Sequence, residues 1–303
     1  MGISTFDGKP AVVLRAGATE ATFLPSLGML GVSLRDDGDE LLDLSAGLAA
    51  YRAQHTTGLP LLAPWANRLG GWEYSAAGVD VNLAGLPLHT DENGLPIHGT
   101  MLARPEWELT GVEPDTLRAR FRFGDRPDLL ASFPFPHDIG FEAVVTDGAL
   151  TVTTSIEPTG DRPVPVSFGY HPYFRLPAAP RDSWTLTLPA RRRVVLDARG
   201  LPTGETTPME PESTVVGDSS LDDHFALGDD RRLSLSGGGR RVVLDYEDGY
   251  PFAQVFSPAG KEFVAIEPMT AATDALRAGT CPRVEPGRAF TARFSVRIDR
   301  ASP

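Results

Sequence analysis

Hydrophobic and polar residues alternate along many short segments of this chain, as they do in β-strands that bury one face. One face of the longest such segment carries Phe290, Ala292, Phe294, Val296 and Ile298. The same alternation recurs over residues 117–123, 150–156 and 184–188. The 31 Gly and 27 Pro residues are spread evenly through the 303 positions, so they mark turns between strands and no single linker.

The turn residues Ala76-Ala77-Gly78 lie between two alternating runs, 72–74 and 79–83, and predict a β-hairpin. Helical periodicity is missing, and only Ser45 to Ala53 and Thr270 to Ala278 could form short helices. Many closely spaced strands predict an all-β fold, an antiparallel sandwich or barrel. Since no repeat or break in composition is visible, we expect a single domain over residues 1–303.

Composition excludes some function classes. Lys and Arg number 28 against 40 Asp and Glu, a net charge of −12, which argues against non-specific nucleic-acid binding. No stretch has the roughly 18 apolar residues of a membrane helix, and the N-terminal Met1 to Thr5 lacks the features of a signal peptide. Cys281 is the only cysteine, so an internal disulfide is impossible. We therefore expect a cytoplasmic protein with no membrane or nucleic-acid partner.

The run Arg191-Arg192-Arg193 interrupts an apolar pattern. It is compatible with a basic phosphate site, but an exposed strand at the edge of a sheet is the interpretation that we favour.

Glu267 is the most unusual carboxylate, because it ends the apolar run Phe263 to Ile266. A carboxyl group that enters a buried strand is costly unless it is paired or functional, and desolvation raises its pKa towards that of a general base. The alternative is a glutamate that already faces solvent at the end of its strand.

Three histidines lie in unusual surroundings: His98 between Pro96 and Gly99, His171 within an aromatic run, and His224 after two aspartates. A histidine among aromatic residues is commonly a hydrogen-bonded core residue, but aromatic and polar groups together also hold sugars. For His224 the simplest interpretation is a surface turn. Asn67-Arg68 follows another apolar segment, and Arg68 could turn inward to a ligand oxygen or pair with an acid.

The order of these motifs resembles the aldose 1-epimerase (galactose mutarotase-like) family from about Ala11 to Ile298. The resemblance is carried by Asn67-Arg68-Leu69, the hairpin from Trp72 to Leu83, Ile97-His98-Gly99, His171-Pro172-Tyr173-Phe174, Asp222-Asp223-His224-Phe225 and Ile266-Glu267-Pro268. It implies a large antiparallel β-sandwich (a supersandwich) with a few short helices and a sugar cleft on one sheet.

The resemblance also implies a reaction, the interconversion of α and β anomers of a free aldose without metal or cofactor. Glu267 then matches the general base and His171 the general acid. His98, Arg68, Asn67 and Asp222 match sugar-binding positions, with Asp223 the alternative to Asp222. We expect Glu267 and His171 to be poised near neutral pH, facing each other across a pocket that holds one monosaccharide. The partner is this small sugar, and the protein is a monomer or homodimer.

The sequence departs from the family where Pro172 follows the acid and where Pro64-Trp65-Ala66 precedes Asn67-Arg68. These departures leave the sugar open. A hexose-6-phosphate 1-epimerase would need basic residues at the cleft, with Arg104, Arg126 and Arg175 as candidates. A non-catalytic carbohydrate-binding protein would need no acid–base pair.

Overall fold

The computed structural model describes residues 3–300 as a chain of β-strands with three short α-helices. The helices are α1 (Gly47–Arg52), α2 (Pro127–Leu130) and α3 (Ala275–Ala278). Single 3₁₀ turns span Pro25–Leu27, Phe123–Asp125 and Arg181–Ser183. The first strands are β1 (Ile3–Phe6), β2 (Lys9–Ala16), β3 (Thr19–Leu24), β4 (Leu30–Asp36), β5 (Asp39–Glu40), β6 (Leu61–Leu62), β7 (Glu73–Ala76), β8 (Val79–Asn82), β9 (Glu108–Val112), β10 (Thr116–Arg122), β11 (His137–Thr146) and β12 (Ala149–Pro158).

The remaining strands are β13 (Val164–Pro165), β14 (Gly169–Tyr170), β15 (Tyr173–Phe174), β16 (Thr185–Leu188), β17 (Arg191–Leu196), β18 (Pro202–Met209), β19 (Glu212–Val215), β20 (Leu221–Leu227), β21 (Arg232–Gly237), β22 (Arg240–Asp248), β23 (Phe252–Ser257), β24 (Val264–Met269), β25 (Arg283–Val284) and β26 (Phe290–Arg300).

Antiparallel pairing joins these strands into two large sheets, a five-stranded sheet and two ribbons. The nine-stranded sheet has the order β19-β16-β21-β22-β26-β12-β11-β10-β9. The eight-stranded sheet has the order β18-β17-β20-β23-β24-β14-β6, and β15 also pairs with β24. Strands β1 to β5 pair in sequence, and the ribbons are β13–β25 and β7–β8. The predicted all-β antiparallel sandwich is confirmed. The prediction of one domain over residues 1–303 stays a prediction, and both its ends lie outside the described residues.

The main core lies between the two large sheets. Tyr170 on β14 packs against Phe294 on β26 with ring centroids 5.1 Å apart. The Tyr170 hydroxyl group lies 2.6 Å from the hydroxyl group of Thr154 on β12. The alternating faces predicted for β12 and β26 point into this core, where residues such as Val152 and Val296 are fully buried. Each such side chain contributes roughly 1.5–3 kcal/mol by leaving water, so the alternation selects this face.

Strand β24 is buried on both faces, and this explains how a glutamate comes to lie in the interior. Val264 and Ile266 point into the main core. The intervening Ala265 points to the opposite side of the sheet, where it packs with Tyr173. Glu267 follows on that same side, because successive side chains of a strand alternate. It is 2% exposed, so the alternative of a solvent-facing glutamate is wrong.

The predicted hairpin is confirmed as β7–β8, with Glu73 opposite Asn82. The helix predicted over Ser45 to Ala53 is present as α1, whereas in Thr270 to Ala278 only α3 is helical. Asp274 ends the non-helical part with a positive φ of 63°, and its side chain accepts the backbone N–H of Gly70 at 2.7 Å. A residue with a positive φ cannot belong to a right-handed helix, so α3 begins after Asp274. No helix in residues 3–300 is long and apolar enough to cross a membrane.

The interpretation of Arg191-Arg192-Arg193 as an edge strand is wrong, although Arg192 and Arg193 are exposed. These residues begin β17, which lies between β18 and β20 inside the eight-stranded sheet. Arg191 is buried, with its guanidinium carbon 4.6 Å from the ring centre of Phe225 and an ion pair to Glu212. An aromatic face and a carboxylate make an interior arginine tolerable, and sequence alone showed neither partner.

Candidate active site

A cavity of about 400 Å³ opens on the side of the eight-stranded sheet that faces away from the main core. We call it the site cavity. All the site residues chosen from the sequence line it, namely Glu267, His171, His98, Arg68, Asp222 and Asn67. Its size falls within the usual range of small-molecule sites.

Three neighbouring strands build one wall of the site cavity through their register. His224 on β20 lies opposite Gln254 on β23, and Gln254 lies opposite Glu267 on β24. Side chains paired across antiparallel strands point to the same face and stand next to each other. The three polar residues therefore form a row across the sheet, and all three are buried.

Asp222 and Asp223 point to opposite sides of the sheet, as consecutive strand residues must. Asp222 lines the site cavity, and the side-chain amide of Gln254 donates to its Oδ1 at 2.5 Å. Asp223 forms an ion pair with Arg193 on the other side. Of the two aspartates, only Asp222 can reach a ligand in this cavity. The surface turn considered for His224 is wrong, since this histidine is fully buried within β20.

His171 and Glu267 are in direct contact. The Nε2 atom of His171 lies 3.3 Å from Oε1 of Glu267, and both side chains are almost fully buried. The expectation that they would face each other across a sugar is therefore wrong. They stand side by side because β24, which carries Glu267, pairs with β14 and β15, the strands that flank His171.

Burial acts on these two groups in opposite directions. It lowers the pKa of His171 from its ordinary value of 6.5 to about 3, because the imidazolium form would lose its hydration. Burial raises the pKa of Glu267 well above its ordinary value, and the charge of Asp222 raises it further. The raised pKa of Glu267 agrees with the sequence-based expectation. The lowered pKa of His171 does not agree with it, because a histidine with a pKa of about 3 is neutral near pH 7.

Tyr173 packs against the ring of His171. The two rings stack with centroids 4.4 Å apart and planes 6° from parallel. The Tyr173 hydroxyl group lies 3.3 Å from His171 Nε2 and 2.6 Å from the hydroxyl group of Thr56. The imidazole is thus held in orientation by stacking and by two polar neighbours at the same nitrogen. The Nδ1 atom of His171 has no hydrogen-bond partner among the described residues.

His98 approaches the pair from a separate loop, with its ring edge-on to His171 at 5.6 Å. Its backbone has a φ of +64°, an unusual conformation for a residue with a side chain. The next residue, Gly99, also has a positive φ, and a Cβ atom there would overlap the carbonyl oxygen of Ala63. Glycine is needed where these two segments of the backbone cross, and the crossing places His98 beside the cavity.

Asn67 and Arg68 form a turn whose polar groups are arranged by the chain itself. Asn67 adopts a φ of +57°, and its Oδ1 accepts the backbone N–H of Arg68 at 2.8 Å. The Nε of Arg68 donates to Asp91 at 2.6 Å. Of the two possibilities left open for Arg68, pairing with an acid is confirmed, and binding of a ligand oxygen stays a prediction.

The lining of the site cavity is rich in carboxylates. Asp91, Glu92, Asp222 and Glu267 line it, against Arg68 as its one Arg or Lys among residues 3–300. The other arginines considered for a phosphate lie elsewhere. Arg104 pairs with Asp128 at 2.9 Å, Arg126 pairs with Glu106, and Arg175 does not line the cavity.

Two residues of the site were missed at the level of the sequence. Tyr173 stands two positions after His171, which is the spacing of side chains on one face of a strand. Gln254 is a polar residue within the apolar run Phe252 to Phe256, the same anomaly that singled out Glu267. Applying that criterion throughout the chain would have found it.

Comparison with known proteins agrees with the fold. The sequence profile of the family described as aldose 1-epimerase matches residues 10–297. A search of curated proteins found no significant match. Among solved structures, a galactose mutarotase-like protein from Clostridium acetobutylicum has a TM-score of 0.88 at 19% identity, covering 98% of both chains.

A galactose mutarotase related enzyme from Lactobacillus acidophilus has a TM-score of 0.77 at 18% identity, over 97% of this chain and 100% of that one. An aldose epimerase homologue from C. elegans has a TM-score of 0.78 at 15% identity, over 96% and 99%. At these identities the likeness establishes the fold, and the profile match establishes the family. The chain belongs to the aldose 1-epimerase family.

Proposed function

We propose that this protein is an aldose 1-epimerase, an isomerase that interconverts the α and β anomers of a free, uncharged aldohexose. The observation that carries the proposal is the contact of 3.3 Å between His171 Nε2 and Glu267 Oε1 at the wall of a polar cavity. A buried carboxyl with no Lys or Arg within ion-pair distance in residues 3–300 is costly for stability and typical of acid–base chemistry.

In the proposal the reaction starts with one proton on the pair. Burial favours this proton on Glu267, and it moves across the 3.3 Å contact to His171 as the sugar binds, which leaves Glu267 ionised. Glu267 takes the proton of the anomeric hydroxyl group, and His171 gives its proton to the ring oxygen. The C1–O5 bond breaks with its electron pair on O5, and a carbonyl forms at C1. Rotation about C1–C2 then presents the other face, and the same groups return the protons as the ring closes.

The close spacing of the pair suits this chemistry. The anomeric oxygen and the ring oxygen are both bonded to C1, so the groups that act on them must themselves be neighbours. General acid–base groups placed in this way contribute about 10²–10⁴-fold each. In the proposal His98, Asn67, Arg68 and Asp222 bind the sugar hydroxyl groups and orient C1 towards the pair.

The carboxylate-rich lining favours a neutral sugar over its phosphate ester. A phosphate dianion would meet Asp91, Glu92 and Asp222 with Arg68 as the only Arg or Lys of the described lining, and that arginine already pairs with Asp91. Like charges in a cavity disfavour binding. We therefore expect glucose and galactose to react faster than glucose 6-phosphate.

The test is to follow anomer interconversion by polarimetry or by NMR exchange with free aldoses and their 6-phosphates. His171→Ala and Glu267→Gln should each abolish catalysis while the protein stays folded. Glu262→Gln, an exposed glutamate just before the same strand, is the matched control and should retain the wild-type rate. Sugar binding without any rate acceleration would contradict the proposal and support a binding protein. Preference for the 6-phosphate would contradict the choice of substrate.

A further inference from the structure

His224 lies next to the site cavity, on the same face of the sheet as Gln254, and does not line it. It is 0% exposed, and its ring stacks on Phe252 with centroids 5.7 Å apart and planes 9° from parallel. A buried imidazole needs hydrogen-bond partners for both nitrogens. His224 has two such partners, and each of them belongs to a different strand or loop.

The hydrogen bonds around His224 form a chain that ends in the site cavity. The backbone N–H of Thr273 donates to Nε2 of His224 at 3.4 Å. Nδ1 of His224 lies 3.2 Å from Oε1 of Gln254. The amide nitrogen of Gln254 donates to Oδ1 of Asp222 at 2.5 Å.

Only one direction of proton donation fits this chain. A backbone N–H can only donate, so Nε2 of His224 must be the accepting nitrogen. An ionised carboxylate can only accept, so the amide of Gln254 must turn its NH₂ group to Asp222 and its oxygen to His224. Nδ1 of His224 therefore carries the proton and donates it to Gln254. The N–H of Thr273 and the carboxylate of Asp222 thus require a neutral His224 with its proton on Nδ1 and a single orientation of the Gln254 amide.

The protonation state agrees with this geometry. Burial lowers the pKa of His224 to about 4. A protonated His224 would also place an N–H at Nε2 against the N–H of Thr273. His224 thus stays neutral across neutral pH.

We propose that His224 is a positioning residue for the sugar, acting through Gln254 to hold the carboxylate of Asp222 in its binding orientation. This inference rests on the proposed function, because Asp222 is taken to bind a sugar hydroxyl group. A hydrogen bond that fixes Asp222 before binding removes an ordering cost from the complex. Loss of His224 should therefore raise KM more than it lowers kcat, as loss of uniform binding does.

The variants His224→Phe and His224→Asn separate positioning from packing. Phenylalanine keeps a ring over Phe252 but donates nothing, and we expect kcat/KM to fall about tenfold, the effect of one hydrogen bond, mostly through KM. Asparagine places an amide N–H near the former Nδ1 and should recover most of that loss. His137→Phe is the matched control, since His137 is also fully buried and stacked on a phenylalanine, 4.4 Å away, with no part in the site cavity. It should change stability and leave KM unchanged.

A double-mutant cycle with Asp222→Asn tests the path of the effect. If His224 acts through Asp222, the KM increase caused by His224→Phe should largely disappear when Asp222 is already replaced. Full additivity overturns the inference. Equal KM values for His224→Phe and the control overturn it as well.

The tautomer can be read without any activity. Long-range ¹⁵N–¹H NMR of the wild-type protein should show His224 neutral and protonated at Nδ1 from pH 5.5 to 8. A proton at Nε2, or a charged ring in this range, overturns the inference whether or not the protein is an enzyme. An Nδ1–H tautomer in a protein without epimerase activity would refute the proposed function and, with it, the sugar-positioning role.

Discussion

Two cavities lie on opposite sides of strand β20, and the charged residues that line them are paired in different ways. The inter-sheet cavity, of about 280 Å³, lies between β17 and β20 of one large sheet and β16 and β19 of the other. Its buried arginine, Arg191, pairs with Glu212, and Arg193 pairs with Asp223. The site cavity instead holds Glu267 against His171, whose own pKa is lowered.

The difference separates charges that support the fold from charges that are available for chemistry. In the inter-sheet cavity each basic side chain is neutralised by a carboxylate and the remaining lining is largely apolar. In the site cavity the carboxyl of Glu267 is buried 3.3 Å from the imidazole of His171. An uncompensated buried acid costs stability, so its presence in the site cavity needs a functional explanation.

The largest expected effect is on catalysis by Glu267→Gln. We expect kcat to fall about 10²–10⁴-fold, because the general base is lost. The free energy of unfolding should not fall, since the amide removes the cost of burying an ionisable carboxyl. Asp223→Asn makes the same chemical change on the other side of β20 and should leave kcat within about a factor of two. Polarimetry measures kcat, and urea denaturation measures the free energy of unfolding. A normal kcat in Glu267→Gln would show that the buried carboxyl of the site cavity is not needed for catalysis.

Arg191→Met should show the reverse pattern in the inter-sheet cavity. We expect the free energy of unfolding to fall by about 2 kcal/mol, because the contact with Phe225 and the pairing of Glu212 are lost. The turnover number of the folded variant should match the wild type, because Arg191 does not reach the site cavity. Urea denaturation measures the first and polarimetry the second. A stability equal to the wild type would show that the buried pair does not support the fold.

The pH dependence of stability compares the site pair with a buried histidine outside both cavities. Burial lowers the pKa of His137 to about 4, so below pH 6.5 the unfolded chain takes up a proton that the folded chain does not. Stability is therefore lost as the pH falls from 6.5 towards 4, by up to about 1.4 kcal/mol per unit. His137→Gln should remove this contribution, as urea denaturation at pH 5, 6 and 7 would show.

The pair of His171 and Glu267 should contribute less to the pH dependence, because the two groups change stability in opposite directions as the pH falls. His171 loses stability with falling pH in the same way as His137. The raised pKa of Glu267 means that the folded chain keeps a proton that the unfolded chain releases above pH 4.5, so its contribution grows as the pH falls. Between pH 4.5 and 6.5 the double variant His171→Gln/Glu267→Gln should leave the pH slope of stability close to that of the wild type. A slope that changes there as much as in His137→Gln would show that the two contributions do not cancel.

The smallest effect is expected for Arg193→Ser at the rim of the inter-sheet cavity. The Arg193 side chain is 52% exposed, so its pair with Asp223 is screened by solvent. We expect a loss of at most about 1 kcal/mol in the free energy of unfolding, and less in high salt. Thermal unfolding at two salt concentrations would measure it, and a loss as large as for Arg191→Met would mean that burial does not distinguish the two arginines.

The strands and the chemistry-bearing residues were predictable because their signals are local. Alternation along β12 and β26 reports directly on which side chains leave water, and Glu267 was conspicuous because a carboxyl ended an apolar run. The order of short motifs was enough to expect the family and its fold. Their chemical roles remain proposals, but the six residues named in advance for the sugar site all line one cavity.

What depends on contacts between distant segments could not be predicted. The burial of Arg191 requires Phe225 and Glu212, and the choice of Asp222 over Asp223 requires the facing of β20 in its sheet. The direct contact between His171 and Glu267 arises from strand pairing between segments about a hundred residues apart. Hydrophobic periodicity determines which face of a strand is buried, whereas register and burial determine which polar groups meet, and these set their pKa values. The sequence by itself thus determined the elements and the candidate groups, and only the tertiary structure decided which of them are in contact.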